Sequence, residues 1–269
     1  MRLYWLLCLP LLVLVISILG AVGSLVTYLP LDSLWQALQD PETLFALRMS
    51  LATSVLAVLL ALLLGVPSGY LLARYAFPGK ALVETLLDLP MVTPPLVAGM
   101  GLLFFLGQAG VGGQVLSQFG VSLLFSPAGV VLAQTYVASA LVVRSARAAF
   151  LAVDVDYARV ANTLGMSPGW ALLLVEIPLA ARGLATAAVL GWARALGEFG
   201  ATLMLAGATR MYTETLPMAV FLNIASGETG IAVACALVLL SLAFVLLLLL
   251  RLLATPAGDE SDDHLAGRS

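Results

Sequence analysis

Charge is the scarcest property of this chain. Of its 269 residues only 10% are Asp, Glu, Lys or Arg, against 62% hydrophobic, and residues 89–143 hold no charged side chain at all. A soluble domain carries about a quarter charged residues to cover its outside, so water is excluded as the main solvent. Histidine is nearly missing, with His264 the lone example, and the two cysteines, Cys8 and Cys235, sit far apart in apolar runs where a thiol serves as a small hydrophobe. That inventory assembles neither a metal cluster nor a histidine-based acid–base site, so no catalytic residue, metal ligand or cofactor is assigned. Basic clusters are missing too. Twelve scattered Lys and Arg with a net charge of −3 leave no phosphate-tracking surface, which excludes nucleic acid as a partner. Nor is there a phosphate-binding loop: Arg74 stands where Gly79-Lys80 would need an earlier glycine, and Ala81 where Ser or Thr is required. Any ATP-driven step belongs to another polypeptide.

What the chain has in abundance is long apolar runs, with a mean hydropathy of +1.08. A helix needs about 20 mostly apolar residues to cross the hydrocarbon layer, where strand edges would go unpaired. Six segments meet that length: 4–28, 49–73, 89–106, 127–149, 177–206 and 229–250. They predict an all-α polytopic membrane protein. The third and fourth share the uncharged run, and their boundary is the Gly, Gln and Ser cluster over 107–120, which reads as a turn. Pro90, Pro94 and Pro95 are expected to kink or break the start of the third. The first follows Arg2 and offers small residues at Ala21, Val22 and Gly23, as a cleaved signal would, but its apolar stretch exceeds the usual 7–15 residues of a signal core. We read residues 1–28 as a retained helix, 29–255 as the core, and 256–269 as a polar, disordered tail.

Cations set the expected orientation, because Lys and Arg collect on the cytoplasmic side. With the N-terminus inside, Arg2, Arg74, Lys80, Arg144, Arg147, Arg159, Arg182, Arg251 and Arg268 fall there, and only Arg48 and Arg210 fall outside. Both termini are then cytoplasmic, and the one long inner loop is 153–177. Its punctuation predicts two short helices with a sharp bend. Asp154 or Asp156 can cap the first, Gly165 suits a left-handed turn, Ser167 can cap the second with Pro168 at its first position, and Pro178 opens the fifth span. A merely interfacial amphipathic loop would share its Trp170 and its leucines at 172–174, but not the glycine and proline register.

That register resembles the signature of ABC importer permeases, in which a Glu-Ala-Ala triplet precedes a glycine and an Ile-x-Leu-Pro follows. Here the positions read Arg159-Val160-Ala161, Gly165-Met166-Ser167 and Val175-Glu176-Ile177-Pro178, with the family's spacing kept and its glutamate replaced by Arg159. The resemblance implies the permease fold of importers and a coupling helix seated in a cleft of the ATP-hydrolysing subunit. It implies contact there from Arg159, Val160, Ala161, Gly165, Met166, Ser167, Val175, Ile177 and Pro178, while the acidic contact at the triplet's first position is in doubt. Further stretches are similar to the molybdate branch: 77–82, Leu89-Pro90, Thr93-Pro94-Pro95, 194–202, 215–217 and 227–230. Sulfate and tungstate importers share that outline. The implied assembly has two copies of the permease, two cytoplasmic ATPases that bind ATP and Mg, and one extracytoplasmic oxyanion-binding protein, set in the plasma membrane.

Beyond Arg182 at its inner end, Arg194 and Glu198 are the ionisable residues inside the fifth segment, four apart on one helix face. Intramembrane charges are costly and face a cavity or a partner. One reading has this face, with Phe199, Gly200 and Thr202 and with Thr93 and Pro94 of the third segment, lining the passage or its gate, Arg194 attracting a dianion and Glu198 limiting the attraction. The other has the pair locking helix packing. Gly191, Gly197, Gly200 and Gly207 leave one side of the segment thin, for a dimer contact or for packing within the subunit. A transporter driven by an ion gradient is the alternative of another class, but no inverted repeat relates the two halves, and such a protein has no use for the 153–177 loop.

Overall fold

The computed structural model describes residues 2–28, 31–120 and 122–254, with side chains over 8–27, 35–120 and 122–252. The tail 256–269 with His264 lies outside the described residues. Helices follow one another as α1 (Arg2–Tyr28), α2 (Leu31–Gln39), α3 (Pro41–Arg74), α4 (Lys80–Val92), α5 (Pro95–Leu106), α6 (Val111–Gln118), α7 (Pro127–Leu151), α8 (Val155–Thr163), α9 (Pro168–Ala171), a π-helical turn (Leu172–Glu176), α10 (Ile177–Leu196), α11 (Gly200–Ala206), α12 (Leu216–Ser226) and α13 (Thr229–Ala254). No strand occurs among the described residues. Five stretches are long and apolar enough to cross a membrane: Cys8–Thr27, Pro41–Arg74, Pro127–Leu151, Pro168–Leu196 and Thr229–Leu252. The pair α4 and α5 makes a sixth only if its two arms, bent by 114°, are taken together. The all-α polytopic architecture is as expected.

The boundaries differ in several places, each for a local reason. The second span starts at Pro41, because the Asp40 carboxylate accepts from the Glu42 and Thr43 amides and starts the helix early. The third segment is a hairpin-like bend, since Thr93 is extended and Pro94 and Pro95 supply no amide donors to join the arms. The 107–120 cluster is not all turn but contains α6. Gly110 and Gly113 permit it, because a Cβ at either would lie within 2.1 Å of a carbonyl oxygen of α5 or its end. The fifth segment ends at Leu196 and restarts as α11 after a break at residues 197–199.

The described residues divide into two compact units, one within 2–52 and 207–242, the other within 53–206 and 243–254. In the first, Ala46, Leu216, Ala219 and Cys235 form the core with Leu47, Val238 and Leu242 around them, and Ser50 Oγ accepts from the Leu216 amide at 2.7 Å, satisfying the start of α12. In the second, α7 is the buried axis. Its Ala138 and Val142 pack on Ala57 and Ala61 of α3 and Ala195 of α10, while Ala133 and Val137 pack on Ala201 and Leu205 of α11. Small residues at these crossings let backbones approach, which is how helices adhere where lipid offers no hydrophobic contrast. Gly65 and Gly69, one turn apart, face α7 so closely that a Cβ on Gly69 would lie 2.8 Å from the Arg147 amide.

Candidate functional site

The 153–177 loop is built by caps. Asp154 takes the N-cap of α8, its side chain accepting from the Asp156 amide at 3.0 Å. At the other end Gly165 has φ +90°, with its amide bonded to Asn162 O and the Met166 amide to Ala161 O. This is the paired closure that a left-handed glycine makes at a helix end. Ser167 occupies the next N-cap but its hydroxyl makes no capping bond, and Pro168 follows at the first helical position.

The second helix is not a separate short piece. From Pro168 the chain runs helical to Leu196, so Pro178 does not open the span but lies inside it. The π-helical turn is the physical reason. The Ile177 amide reaches back to Leu172 O, widening the ladder just before the proline that cannot donate to it. Ala161 is buried, Met166, Val175 and Ile177 are half-buried, and Ser167 and Pro178 are exposed. Arg159 pairs with Asp156 on the open surface at 2.8 Å. Around them Tyr157, Val160, Leu164, Trp170, Leu173 and Leu174 expose more than half of their surface. That is an apolar patch on a loop otherwise punctuated by polar caps.

The second place is the break between α10 and α11. Arg194 Nη1 lies 2.6 Å from Glu198 Oε2, with the arginine side chain 34% exposed and the glutamate 1%. Glu198 Oε1 also accepts from the Ala201 amide at 2.8 Å, so one carboxylate holds the arginine and caps α11. Phe199 is half-buried and its carbonyl accepts from the Leu203 amide. Gly200 lies against the bend of the third segment, where a Cβ would sit 2.9 Å from Pro95 Cβ and 3.0 Å from the Leu96 amide. A Cβ on Gly99 of α5 would likewise meet Ala201 Cα at 2.6 Å. The broken helix and the bent pair are therefore packed together, with Thr93 half-buried and Pro94 exposed at the bend. Gly191 answers the question of its face by packing on Val142 within the same unit.

Thr202 of α11, expected on the passage face, is fully buried, and its hydroxyl has no hydrogen-bond partner among the described residues. Other residues were invisible to motif reasoning. Gln134 of α7 is also fully buried, and its amide likewise has no partner among the described residues. A neutral amide in an apolar run carries no sequence signal of that kind. In the first unit Arg210 pairs with Glu42 and donates to Ser226 Oγ at 3.1 Å, while Asn223 Nδ2 donates to the same Glu42 at 3.3 Å. Glu214, fully buried, accepts from the Met211 amide at 3.1 Å. Burial pushes its carboxyl up to about 7, and Glu42 adds to the rise while the Met211 amide and Arg210 oppose it.

A set of apolar helices, two of them interrupted where their broken ends meet, with an exposed helical loop, defines a multi-pass membrane protein. Residues 65–255 match the binding-protein-dependent transport system inner membrane component, and the chain belongs to that family. Its similarity reaches named relatives. It is 39% identical over 220 residues to the molybdenum transport system permease protein ModB of Escherichia coli, covering 81% of this chain and 95% of that one. To the protein of the same name from Mycobacterium tuberculosis it is 38% identical over 213 residues, covering 79% and 81%. Among solved structures, a bacterial alginate ABC transporter in complex with a pentasaccharide-bound periplasmic protein superposes with a TM-score of 0.68, covering 94% of this chain and 97% of that one at 16% identity. That likeness concerns the fold alone. The chain is a permease subunit, and ATP hydrolysis resides in a separate subunit.

Proposed function

We propose that this chain is the permease of a molybdate importer, working as a pair of copies with two cytoplasmic ATPases and an extracytoplasmic oxyanion-binding protein. The substrate follows from the two molybdenum permeases it resembles over most of its length. The observation that carries the partner assignment is the 153–177 loop, whose apolar side chains at Tyr157, Val160, Leu164 and Trp170 stand exposed beside a rigid, capped bend. Loss of aqueous contact by such a patch is the expected driving force for docking a soluble ATPase. The cation count supports a cytoplasmic position for that loop and for both termini.

Arg194 and Glu198 mark the passage in this reading. Half-exposed, Arg194 can meet a tetrahedral dianion, while the buried carboxylate keeps it from binding the anion too tightly to release. Molybdate, tungstate and sulfate share charge and shape, so the external binding protein does most of the selecting. The test is uptake of labelled molybdate in cells with and without this chain, its ATPase and binding protein supplied, with tungstate and sulfate as competitors. ATP-dependent uptake should vanish without the chain. Unchanged molybdate uptake alongside loss of another oxyanion's would replace the substrate and keep the importer. Uptake that follows a proton or sodium gradient instead of ATP would replace both.

A further inference from the structure

Both ends of the 153–177 loop meet at one side chain. Arg74 is the last residue of α3, and its Nε lies 2.6 Å from Glu176 Oε2 at the loop's far end, while its Nη2 donates to Val153 O at 3.0 Å at the near end. Tyr70, one turn earlier on α3, donates from its hydroxyl to the other oxygen of Glu176 at 2.8 Å. The joint is dry: the Glu176 side chain is 2% exposed and that of Arg74 12%. It is also packed, because the Tyr70 ring stands edge-on to Phe150 of α7 at 5.1 Å between centroids, within a cluster that includes Ala149, Val153, Ala180 and Leu172.

We propose that Arg74 is a positioning residue that clamps the two ends of the loop to α3, so that loop and helix end move as one body when the ATPase displaces the loop. A flexible attachment would let α8 and the α9–α10 rod follow the ATPase without moving α3. The guanidinium prevents this because its donors form a rigid planar fork, able to hold a carboxylate and a carbonyl in fixed relation at once. Burial adds to the effect, since the Glu176 carboxylate, 2% exposed, has little access to water that could replace its bond to Arg74. The π-helical turn fits the same role: it carries Glu176 at its last position and joins α9 to α10 without a break, so the clamp acts on a continuous rod. This rests on the proposal that the loop is the ATPase contact.

The experiment uses the assembled importer in proteoliposomes, with coupling read in the native sequence and docking read in a parallel preparation carrying C8S and V160C, whose cross-linking to the ATPase reports contact separately. Arg74→Lys is the decisive variant, since an ammonium keeps the charge beside Glu176 but loses the fork. Glu176→Gln serves as the second. The quantity read is molybdate imported per ATP hydrolysed, and both variants should lower it about tenfold, the scale of a lost coupling between sites, with cross-linking and assembly intact. A wild-type ratio in Arg74→Lys with cross-linking retained would overturn the clamp and leave the docking proposal standing. Absence of the V160C cross-link with Arg74 intact would overturn the docking proposal and the clamp with it.

Discussion

Replacing Glu198 should separate two jobs that one carboxylate performs. Its Oε1 closes the first turn of α11 through the Ala201 amide, and its Oε2 holds Arg194. Glu198→Gln keeps an oxygen that can accept from Ala201 but carries no charge, whereas Glu198→Ala keeps neither. Loss of a helix cap costs about 1 kcal/mol. Loss of the ion pair falls between the ~0–1 kcal/mol of an exposed pair and the ~3–5 kcal/mol of a buried one broken on one side. Arg194 is 34% exposed and, as a residue of the proposed passage, regains water once unpaired, which puts Glu198→Gln at about 2 kcal/mol and Glu198→Ala at about 3 kcal/mol. Arg194→Gln should cost more than Glu198→Gln, because the group it strands is the one 1% exposed. Denaturant titration of the purified protein in one fixed detergent gives the three values in order. Equal stability of Glu198→Gln and Glu198→Ala would refute the cap, and an Arg194→Gln no worse than Glu198→Gln would refute the burial asymmetry. In transport, Arg194→Gln should slow molybdate uptake; normal uptake with unchanged assembly would remove Arg194 from the passage.

Three further outcomes follow from other sites. Glu214 has its carboxyl raised from the ordinary 4.5 to about 7, so the folded protein keeps a proton that the unfolded chain has released between those values. Stability should therefore fall as pH rises from 4.5 through 7 and level off above it. Glu214→Gln should flatten that slope in thermal unfolding followed at a series of pH values, and an unchanged slope would assign the titration elsewhere. Gly69→Ala forces a Cβ to within 2.8 Å of the Arg147 amide and 3.0 Å of Val143 O, an overpacking expected to cost about 1–3 kcal/mol. Gly65→Ala should cost less, since its first obstacle is the side-chain methyl Val142 Cγ1 at 2.8 Å, and a reversed order in the same titration would count against the α3–α7 contact. Gln134→Leu removes a buried amide without a partner among the described residues and should stabilise by about 1–3 kcal/mol; a lower unfolding midpoint would show that the amide is satisfied.

The sequence by itself determined the solvent, the class and the loop. An uncharged run from 89 to 143 admits only a membrane, and the register of Asp154, Gly165 and Pro168 announced caps and a left-handed bend that depend on neighbours within a few residues. The prolines at 94 and 95 announced the bend between α4 and α5 for the same reason. Local chemistry is legible because it is written in adjacent letters.

What only the tertiary structure decided was which distant groups meet. Arg74 looked like one more inner-face cation until its fork was seen between Val153 and Glu176. Glu198 announced its pairing with Arg194 by spacing, but its cap on Ala201 depends on a helix break that hydropathy cannot register, since residues 197–206 are apolar enough to continue the span. The buried Gln134, and the glycines at 65, 69, 99 and 200, owe their roles to backbones that pass within contact distance. In a chain this apolar, hydropathy assigns nearly every residue to the membrane alike, and only close packing tells lipid-facing positions from those that touch protein.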